Sequence, residues 1–328
     1  VRDARRRVDT GGALPVGLAL VGPTATGKSE LAVAVAAALD GEVISVDSRQ
    51  AYRGLEVGTA APTPAQREAV AHHGVAFLDP GERYSAGHFS RLARGWIEEI
   101  RARGRVPILA GGTGFFLAAL TDPVFREPPL DAGRRESLRG WLEARPPGEL
   151  RRWTARLDPD LSRTLDALDP QRCVRTLELA LLAGRPVTWW QAHGDPEAPP
   201  LLLLVFALEL SPAKLRERIR ARTRRLVEGG WPAEVRRLLA AGAGEGDPAL
   251  SALGYPEVAR LVRGECDAAE VIEAVTTLTW QYARRQRTWF RHQLPGTAVR
   301  LDAERPTGEL VARVVADWRE AVDAPGGS

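Results

Sequence analysis

Gly22-Pro23-Thr24-Ala25-Thr26-Gly27-Lys28-Ser29 has the spacing GxxxxGK[ST], a pattern built to hold phosphate. Its glycines let backbone N–H groups turn inward around phosphate oxygens, and a following helix adds partial positive charge at its N-terminus. Lys28 would neutralise a distal phosphate and the Ser29 hydroxyl would hold Mg²⁺. The loop speaks for phosphate binding and leaves the reaction open. Composition sharpens the case for Lys28. Of 45 Lys and Arg residues, only Lys28 and Lys214 are lysines. A chain so biased towards arginine keeps lysine where a planar fork cannot replace a compact ammonium.

Two further segments end apolar runs in polar residues. Ser45-Val46-Asp47-Ser48-Arg49-Gln50-Ala51-Tyr52 closes the run from Glu42 to Val46. In an open α/β sheet, ligands bind beyond the carboxyl ends of the strands, so Asp47 is expected to face the crevice that Lys28 faces. A carboxylate there can act as general base, as an indirect partner of Mg²⁺, or as a loop cap. The run from Arg105 to Ala110 ends in Gly111-Gly112-Thr113-Gly114 and offers no carboxylate. Nucleotide-driven motors hold Mg²⁺ with an Asp at such a strand end, so an ATP-binding motor is disfavoured. Small-molecule kinases and other enzymes that grip a diphosphate remain. Thr113 is a candidate hydroxyl contact in the same crevice, or a turn residue.

The elements that must position these groups are legible from the patterning. Val16 to Val21, Glu42 to Val46 and Arg105 to Ala110 are short apolar runs bounded by helical stretches, the pattern of buried parallel strands. The alanine- and leucine-rich segment Ser29 to Leu39 reads as a helix that Gly41 ends. Ser85 can cap a helix running to about Arg103, with Gly104 as terminator. Near Asp122 the pattern changes. Pro123, Pro128 and Pro129 lead into an arginine-rich helical stretch that closes at Pro196, Pro199 and Pro200, after which Leu201 to Leu208 resumes the sheet. Helices are expected at about 211–228, 232–241, 255–263 and 267–292. The expected fold is α/β: a P-loop NTPase-like parallel sheet core with a helical insertion domain and a helical C-terminal region. The core takes residues 14–121, the insertion 122–199, and the core completion with its C-terminal helices 200–328.

A 44% hydrophobic and 27% charged composition excludes wholesale disorder. Cys173 and Cys266 form no CxxC pair, which argues against a disulfide scaffold or a zinc site and fits a reducing, cytoplasmic setting. Arg5, Arg6 and Arg7 precede an apolar run that superficially resembles a secretory signal. That run is short, contains Pro15 and feeds the phosphate loop, so a first strand explains it better. No stretch approaches the length of a membrane span.

The net charge of +3 implies mild attraction to polyanions. Its distribution says more. Lys214, Arg216, Arg218, Arg220, Arg222, Arg224 and Arg225 crowd one helix against Glu217. Like charges three and four apart cost helix stability unless an anion offsets them. From Tyr282 to Arg291, aromatic residues interleave with arginines, a mixture suited to phosphate contacts and stacking on unpaired bases. A solvated helix face is the plainer account of either segment alone. Together with the insertion's arginines they favour RNA binding. His72, His73, His88, His193 and His292 match no ligand spacing.

GPTATGKS, ISVDSRQAYRGLEVGTA, LAGGTG, QRCVR, LGYPE and YARRQRTWFR follow one another in the order and spacing of the tRNA dimethylallyltransferase family, bacterial type, over roughly residues 16–292. The chain resembles that family most specifically in its Asp-Ser-x-Gln-x-Tyr and Arg-Gln-x-Thr-Trp-Phe-Arg segments. The resemblance implies transfer of a dimethylallyl group from dimethylallyl diphosphate to N6 of the adenine 3′ of the anticodon, position 37, with diphosphate released. A nucleoside or small-metabolite kinase is the alternative that the phosphate loop alone leaves standing. The implied partners are the tRNA anticodon stem-loop and dimethylallyl diphosphate, the implied cofactor is Mg²⁺ at Ser29, and the implied state is a monomer.

By the same resemblance, Gly22 to Ser29 (Gly22, Pro23, Thr24, Ala25, Thr26, Gly27, Lys28, Ser29) would hold the diphosphate. Asp47 would take the N6 proton, and Arg222 would help neutralise the diphosphate. Thr113 would belong to the catalytic group and, with Arg135, would touch tRNA. Asp47, Ser48, Arg49 and Gln50, then Gln171, Arg172, Cys173, Val174 and Arg175, then Gly254 and Tyr255, and finally Arg285, Gln286, Trp289 and Arg291 would line the RNA surface. Family members often carry arginine where this chain has Trp280, which puts one phosphate contact in question.

Overall fold

The computed structural model describes residues 14–123, 125–164, 170–244, 247 and 250–323; Arg5, Arg6 and Arg7 lie outside them. In chain order the elements begin β1 (Gly17–Val21), α1 (Lys28–Leu39), β2 (Gly41–Val46), α2 (Pro64–Ala69), β3 (His72–His73), α3 (Ala86–Ala102), β4 (Val106–Gly111) and α4 (Gly114–Thr121). There follow α5 (Ala132–Glu143), α6 (Pro147–Leu157), α7 (Pro159–Thr164), α8 (Pro170–Leu182) and α9 (Val187–His193). The chain then runs through β5 (Leu203–Glu209), α10 (Pro212–Glu228), α11 (Trp231–Ala240), α12 (Tyr255–Val262), α13 (Ala268–Gln293), β6 (Val299–Asp302) and α14 (Thr307–Asp323). Contacts divide it into two compact units. One holds the described residues up to Thr121 and from Leu201 onward; the other is Asp122–Pro200.

In the larger unit six strands form one parallel sheet in the order β3-β2-β4-β1-β5-β6. β1 and β2 are buried along their whole length because helices cover both sheet faces. Their side chains alternate between two cores. Leu18, Leu20, Val43, Ile108, Phe206 and Leu208 join one with α1, α10 and α14. Ala19, Val21, Ile44, Leu109 and Val205 join the other with α3 and α4. This period of two is the strand signature that the apolar runs carried.

Helix ends follow local chemistry. Ser85 accepts from His88 N at 3.1 Å and starts α3 as expected. Asp267 and Glu270 form a reciprocal capping box that starts α13. Gly41 does not end α1: Asp40, at φ 48°, is the left-handed cap. Gly41 opens β2 instead, and a Cβ there would lie 2.7 Å from the Val106 carbonyl oxygen, so the close approach to β4 is what requires glycine. His72 and His73 form the short edge strand β3 beside β2, and β6 and α14 complete the unit beyond the helices expected from the sequence. His73 pairs with the buried Glu42 at 2.7 Å, and Arg103 grips the same carboxylate with two nitrogens.

The smaller unit is helical. Leu142, Leu150, Cys173, Val174 and Leu177 form its core. Arg139 forks onto the fully buried Glu178 at 2.6 and 2.9 Å, and that bond raises the guanidinium further above its ordinary value. Trp141 and Trp153 stack at 5.5 Å, with the Arg145 guanidinium 4.5 Å above Trp141.

Candidate active site

The phosphate loop joins β1 to α1. Gly27 stands left-handed at φ 92° as the residue before α1, and Ala25 holds φ 64°, a conformation that L side chains adopt at a cost. Thr26 Oγ1 donates to the Pro23 carbonyl at 2.9 Å. Lys28 Nζ donates to the same oxygen at 2.5 Å and lies 3.5 Å from Thr26 Oγ1. Lys28 thus caps its own loop. Burial, and next the Arg222 guanidinium, pull its ammonium down to about 7 against the opposing field of Asp47.

Arg222 comes from α10. Its Nη1 donates to Thr24 Oγ1 at 3.1 Å and its Nη2 to the Thr59 carbonyl at 3.2 Å. Burial draws this guanidinium below its ordinary value, with Asp47 opposing and Arg225 adding to the effect. The crowded arginines of α10 are sorted by partner: Arg220 pairs with Glu273 and Arg218 donates to the Ala303 carbonyl. Arg222 turns to the crevice.

Asp47 follows β2. Its Oδ1 accepts from the backbone N–H of Arg49 at 2.8 Å and of Gln50 at 3.3 Å, which fixes the carboxylate in an Asx turn. Thr113, after β4, accepts from Ser48 N at 3.3 Å through Oγ1, and its own N–H donates to the Val46 carbonyl at 3.2 Å. The Tyr282 hydroxyl of α13 lies within hydrogen-bonding reach of Thr113. Burial, then Asp47, push it up to about 12, so it stays protonated at neutral pH. Lys28, Asp47, Arg222, Thr113 and Tyr282 therefore meet beyond the carboxyl ends of β1, β2 and β4. One carboxylate faces two cationic side chains, with donors on either side. That set can bind a polyanion, stabilise charge leaving it, and take a proton from a neighbour.

Other residues expected at the site have different places. Gln50 is spent inside the protein, accepting from Ser45 Oγ at 2.9 Å and donating to the Ala60 carbonyl at 3.2 Å. Tyr255 is 1% exposed and its hydroxyl donates to Glu234 Oε1 at 2.7 Å. Gly254, at φ 91°, is buried beneath Trp231. Cys173 and Val174 belong to the core of the smaller unit. Gln286, 7% exposed, is bonded to Thr24 and Gly112. Cys173, Val174, Gly254, Tyr255 and Gln286 are thus buried, their places in the fold taken up by packing or internal hydrogen bonds. Arg135 and Arg175 both pair with Glu127 within the smaller unit, where Gln171 and Arg172 are exposed. Trp280 packs against the core beside α1 and α10.

Arg285 and Arg291 are exposed on α13, and Trp289 is half-buried. A groove of about 860 Å³ opens here over Arg284, Arg285, Thr288, Trp289 and His292. Phe115, 62% exposed, stands one residue beyond Gly114, against which Trp289 packs. Cationic and aromatic groups on one open face suit a nucleic acid with unpaired bases.

The sequence reading missed Glu234. This carboxylate, 1% exposed, accepts from Val57 N at 2.6 Å and Gly58 N at 3.0 Å, anchoring the segment that carries Thr59 to Arg222. Burial raises its pKa. A lone acid on an amphipathic helix looks like a surface residue, and the available signal was the Gly58 that its hydrogen bonds immobilise. Among the described residues no group of three His, Cys, Asp or Glu side chains could hold a metal ion, and no helix is long and apolar enough to cross a membrane.

Comparison with known proteins places the chain in a family. The IPP transferase family model matches residues 50–293, and the isopentenyl transferase model matches residues 17–76. A tRNA dimethylallyltransferase of Halorhodospira halophila is 41% identical over 289 residues, covering 87% of this chain and 93% of the relative. The crystal structure of a tRNA isopentenylpyrophosphate transferase from Bacillus halodurans superposes with a TM-score of 0.66 at 29% identity, over 93% of this chain and 97% of that one. A eukaryotic dimethylallyltransferase acting on tRNA shares the fold, with a TM-score of 0.80 at 23% identity over 95% of this chain and 81% of that one. The chain belongs to the IPP transferase family.

Proposed function

We propose that this chain transfers a dimethylallyl group from dimethylallyl diphosphate to the exocyclic N6 of the adenine 3′ of the anticodon, position 37, in tRNA. The observation that carries the reading is the meeting of the Asp47 carboxylate with Lys28 and Arg222 at the strand ends, where each cation feels the carboxylate. A diphosphate in the loop answers the cations, and a nucleophile that must lose a proton answers the carboxylate.

The target adenine must leave its stack, at a few kcal/mol. Asp47, held by two backbone N–H groups, accepts the N6 proton as N6 bonds to the allylic carbon. The carbon–oxygen bond breaks, and its electron pair leaves with the diphosphate. Lys28 and Arg222 stabilise the charge that develops there. Thr113 and Tyr282 bound the Asp47 side of the crevice. Much of the acceleration comes from holding two substrates in line.

A divalent cation fits the chain's hard oxygen chemistry without a ready-made cage. The exposed Ser29 at the start of α1 offers one hydroxyl, and the remaining ligands would be phosphate oxygens and water, the arrangement Mg²⁺ favours. Bound there, Mg²⁺ would supply further neutralisation of the leaving diphosphate. A tRNA substrate is met in the cytoplasm, and all the proposed groups lie on one chain, so a monomer suffices for the reaction.

Incubation with labelled dimethylallyl diphosphate and an anticodon stem-loop, and in parallel with labelled ATP and small metabolites, tests this. Label is expected on N6 of one adenosine after nuclease digestion. Label transferred from ATP to a small metabolite, with none reaching RNA, would overturn the reading in favour of a kinase.

A further inference from the structure

Helix α13 carries two chemistries on two faces. Arg284, Arg285, Thr288 and His292 are exposed on one. On the other, Tyr282, Gln286 and Trp289 meet the loops at the strand ends. Gln286 does something none of its neighbours does. Its Oε1 accepts from the backbone N–H of Thr24 at 2.9 Å, and its Nε2 donates to the Gly112 carbonyl at 2.8 Å. One buried carboxamide thus joins the phosphate loop to the loop that carries Thr113. A carboxamide is suited to this because it presents a fixed acceptor beside a fixed donor, whereas an ionised carboxylate only accepts. The fit is close on the β4 side, where a Cβ on Gly112 would lie 2.4 Å from Nε2.

Thr24 is held from two directions. Gln286 takes its N–H, and Arg222 donates to its hydroxyl at 3.1 Å. The group that fixes the phosphate loop from α13 directly follows the exposed Arg284 and Arg285 of the same helix.

We propose that Gln286 is a positioning residue that couples the two substrates: RNA seated on the exposed face of α13 steadies the helix, and the carboxamide passes that to Thr24 and the diphosphate site. This rests on reading the α13 face as RNA-binding. Coupling of this kind is reciprocal, so bound donor tightens RNA as much as bound RNA tightens donor.

The test titrates an unreactive thio-analogue of dimethylallyl diphosphate, with Mg²⁺, in the presence and absence of saturating anticodon stem-loop RNA. Wild type, Gln286→Ala, Gly112→Ala and the double variant are compared. In wild type, RNA is expected to tighten analogue binding at least about fivefold, the lower range of measured couplings. In Gln286→Ala the ratio falls below about twofold. Gly112→Ala, whose new methyl group displaces the amide, does the same while leaving Gln286 in the sequence. Because both changes break one bridge, the double variant is no worse than Gln286→Ala. Gln286→Glu keeps an acceptor for Thr24 but loses the donor to Gly112, and is expected to recover only part of the ratio. Wild-type coupling in either single variant, or additive losses in the double, overturns the proposal. Stem-loop binding without any coupling in wild type also overturns it and leaves the transferase reading standing. Failure of wild type to bind the stem-loop removes both.

Discussion

Arg222 and Thr24, 198 positions apart in sequence, are joined by a 3.1 Å hydrogen bond that carries a guanidinium from α10 to the phosphate loop. The same guanidinium reaches the Thr59 carbonyl, in the segment that Glu234 anchors. The guanidinium proposed to meet the diphosphate is therefore held by two other parts of the chain. Arg222→Ala is expected to weaken donor binding roughly 10²-fold, the scale of losing a buried charge partner. Transfer should slow as well, since the charge meets diphosphate in both ground and transition states. Unchanged donor affinity, measured by titration, would contradict this placement.

Lys28→Ala is expected to abolish transfer. Lys28→Arg should fail too, because Nζ reaches the Pro23 carbonyl inside a loop with no room for a fork. Near-full turnover by Lys28→Arg in a single-turnover assay would refute the argument.

Donor binding should depend on pH with a definite sign. Burial and the Arg222 guanidinium lower the Lys28 ammonium to about 7, and a bound diphosphate favours the charged form and raises that value. Above pH 7 the complex holds more protons than the free protein, so affinity falls as pH rises. Below this range the lysine is charged in both states and adds no slope. Calorimetry in buffers of different ionisation enthalpy should show proton uptake near pH 8, and Lys28→Ala should remove the part that Lys28 contributes.

Glu234→Ala leaves the N–H groups of Val57 and Gly58 without their acceptor and leaves the Tyr255 hydroxyl only the Leu55 carbonyl at 3.1 Å. The expected loss is about 2–4 kcal/mol of stability, the cost of stranded buried donors. Chemical denaturation measures it. Donor binding should weaken as well, because the released segment no longer presents Thr59 to Arg222.

Replacing residues 122–199 by a Gly/Ser linker should leave donor binding largely intact and sharply weaken tRNA binding. Lost phosphate contacts must flatten the logarithmic salt dependence of affinity. A wild-type slope would show that the arginines of this region do not meet RNA.

The sequence displays the parts of this site that repeat a local pattern. The phosphate loop, the strand before Asp47 and the capping Ser85 are each set by neighbours within a few residues, so type and spacing suffice. What the sequence hides is set at long range. Gln286 sits among arginines and looks like an RNA contact, yet it shares a helical stripe with the buried Ala283 and Phe290, the one clue to its inward face. Glu234 shows nothing unusual until the backbone it holds is in view. β6 was missed because a four-residue edge strand with exposed alternate positions carries little apolar signal. Trp280 packs on the core beside α1 and α10.

Asp47→Asn tests the central claim most directly, since it is nearly isosteric but cannot accept a proton at neutral pH. The measurement is single-turnover transfer to an anticodon stem-loop, with donor affinity titrated separately. If Asp47 is the base, transfer should slow by roughly 10²–10⁴, the usual contribution of a positioned general base. Donor affinity should hold or rise slightly, because a negative charge leaves the neighbourhood of another anion. Loss of donor binding together with recovery of activity at higher Mg²⁺ would contradict this, and would make Asp47 part of a metal site.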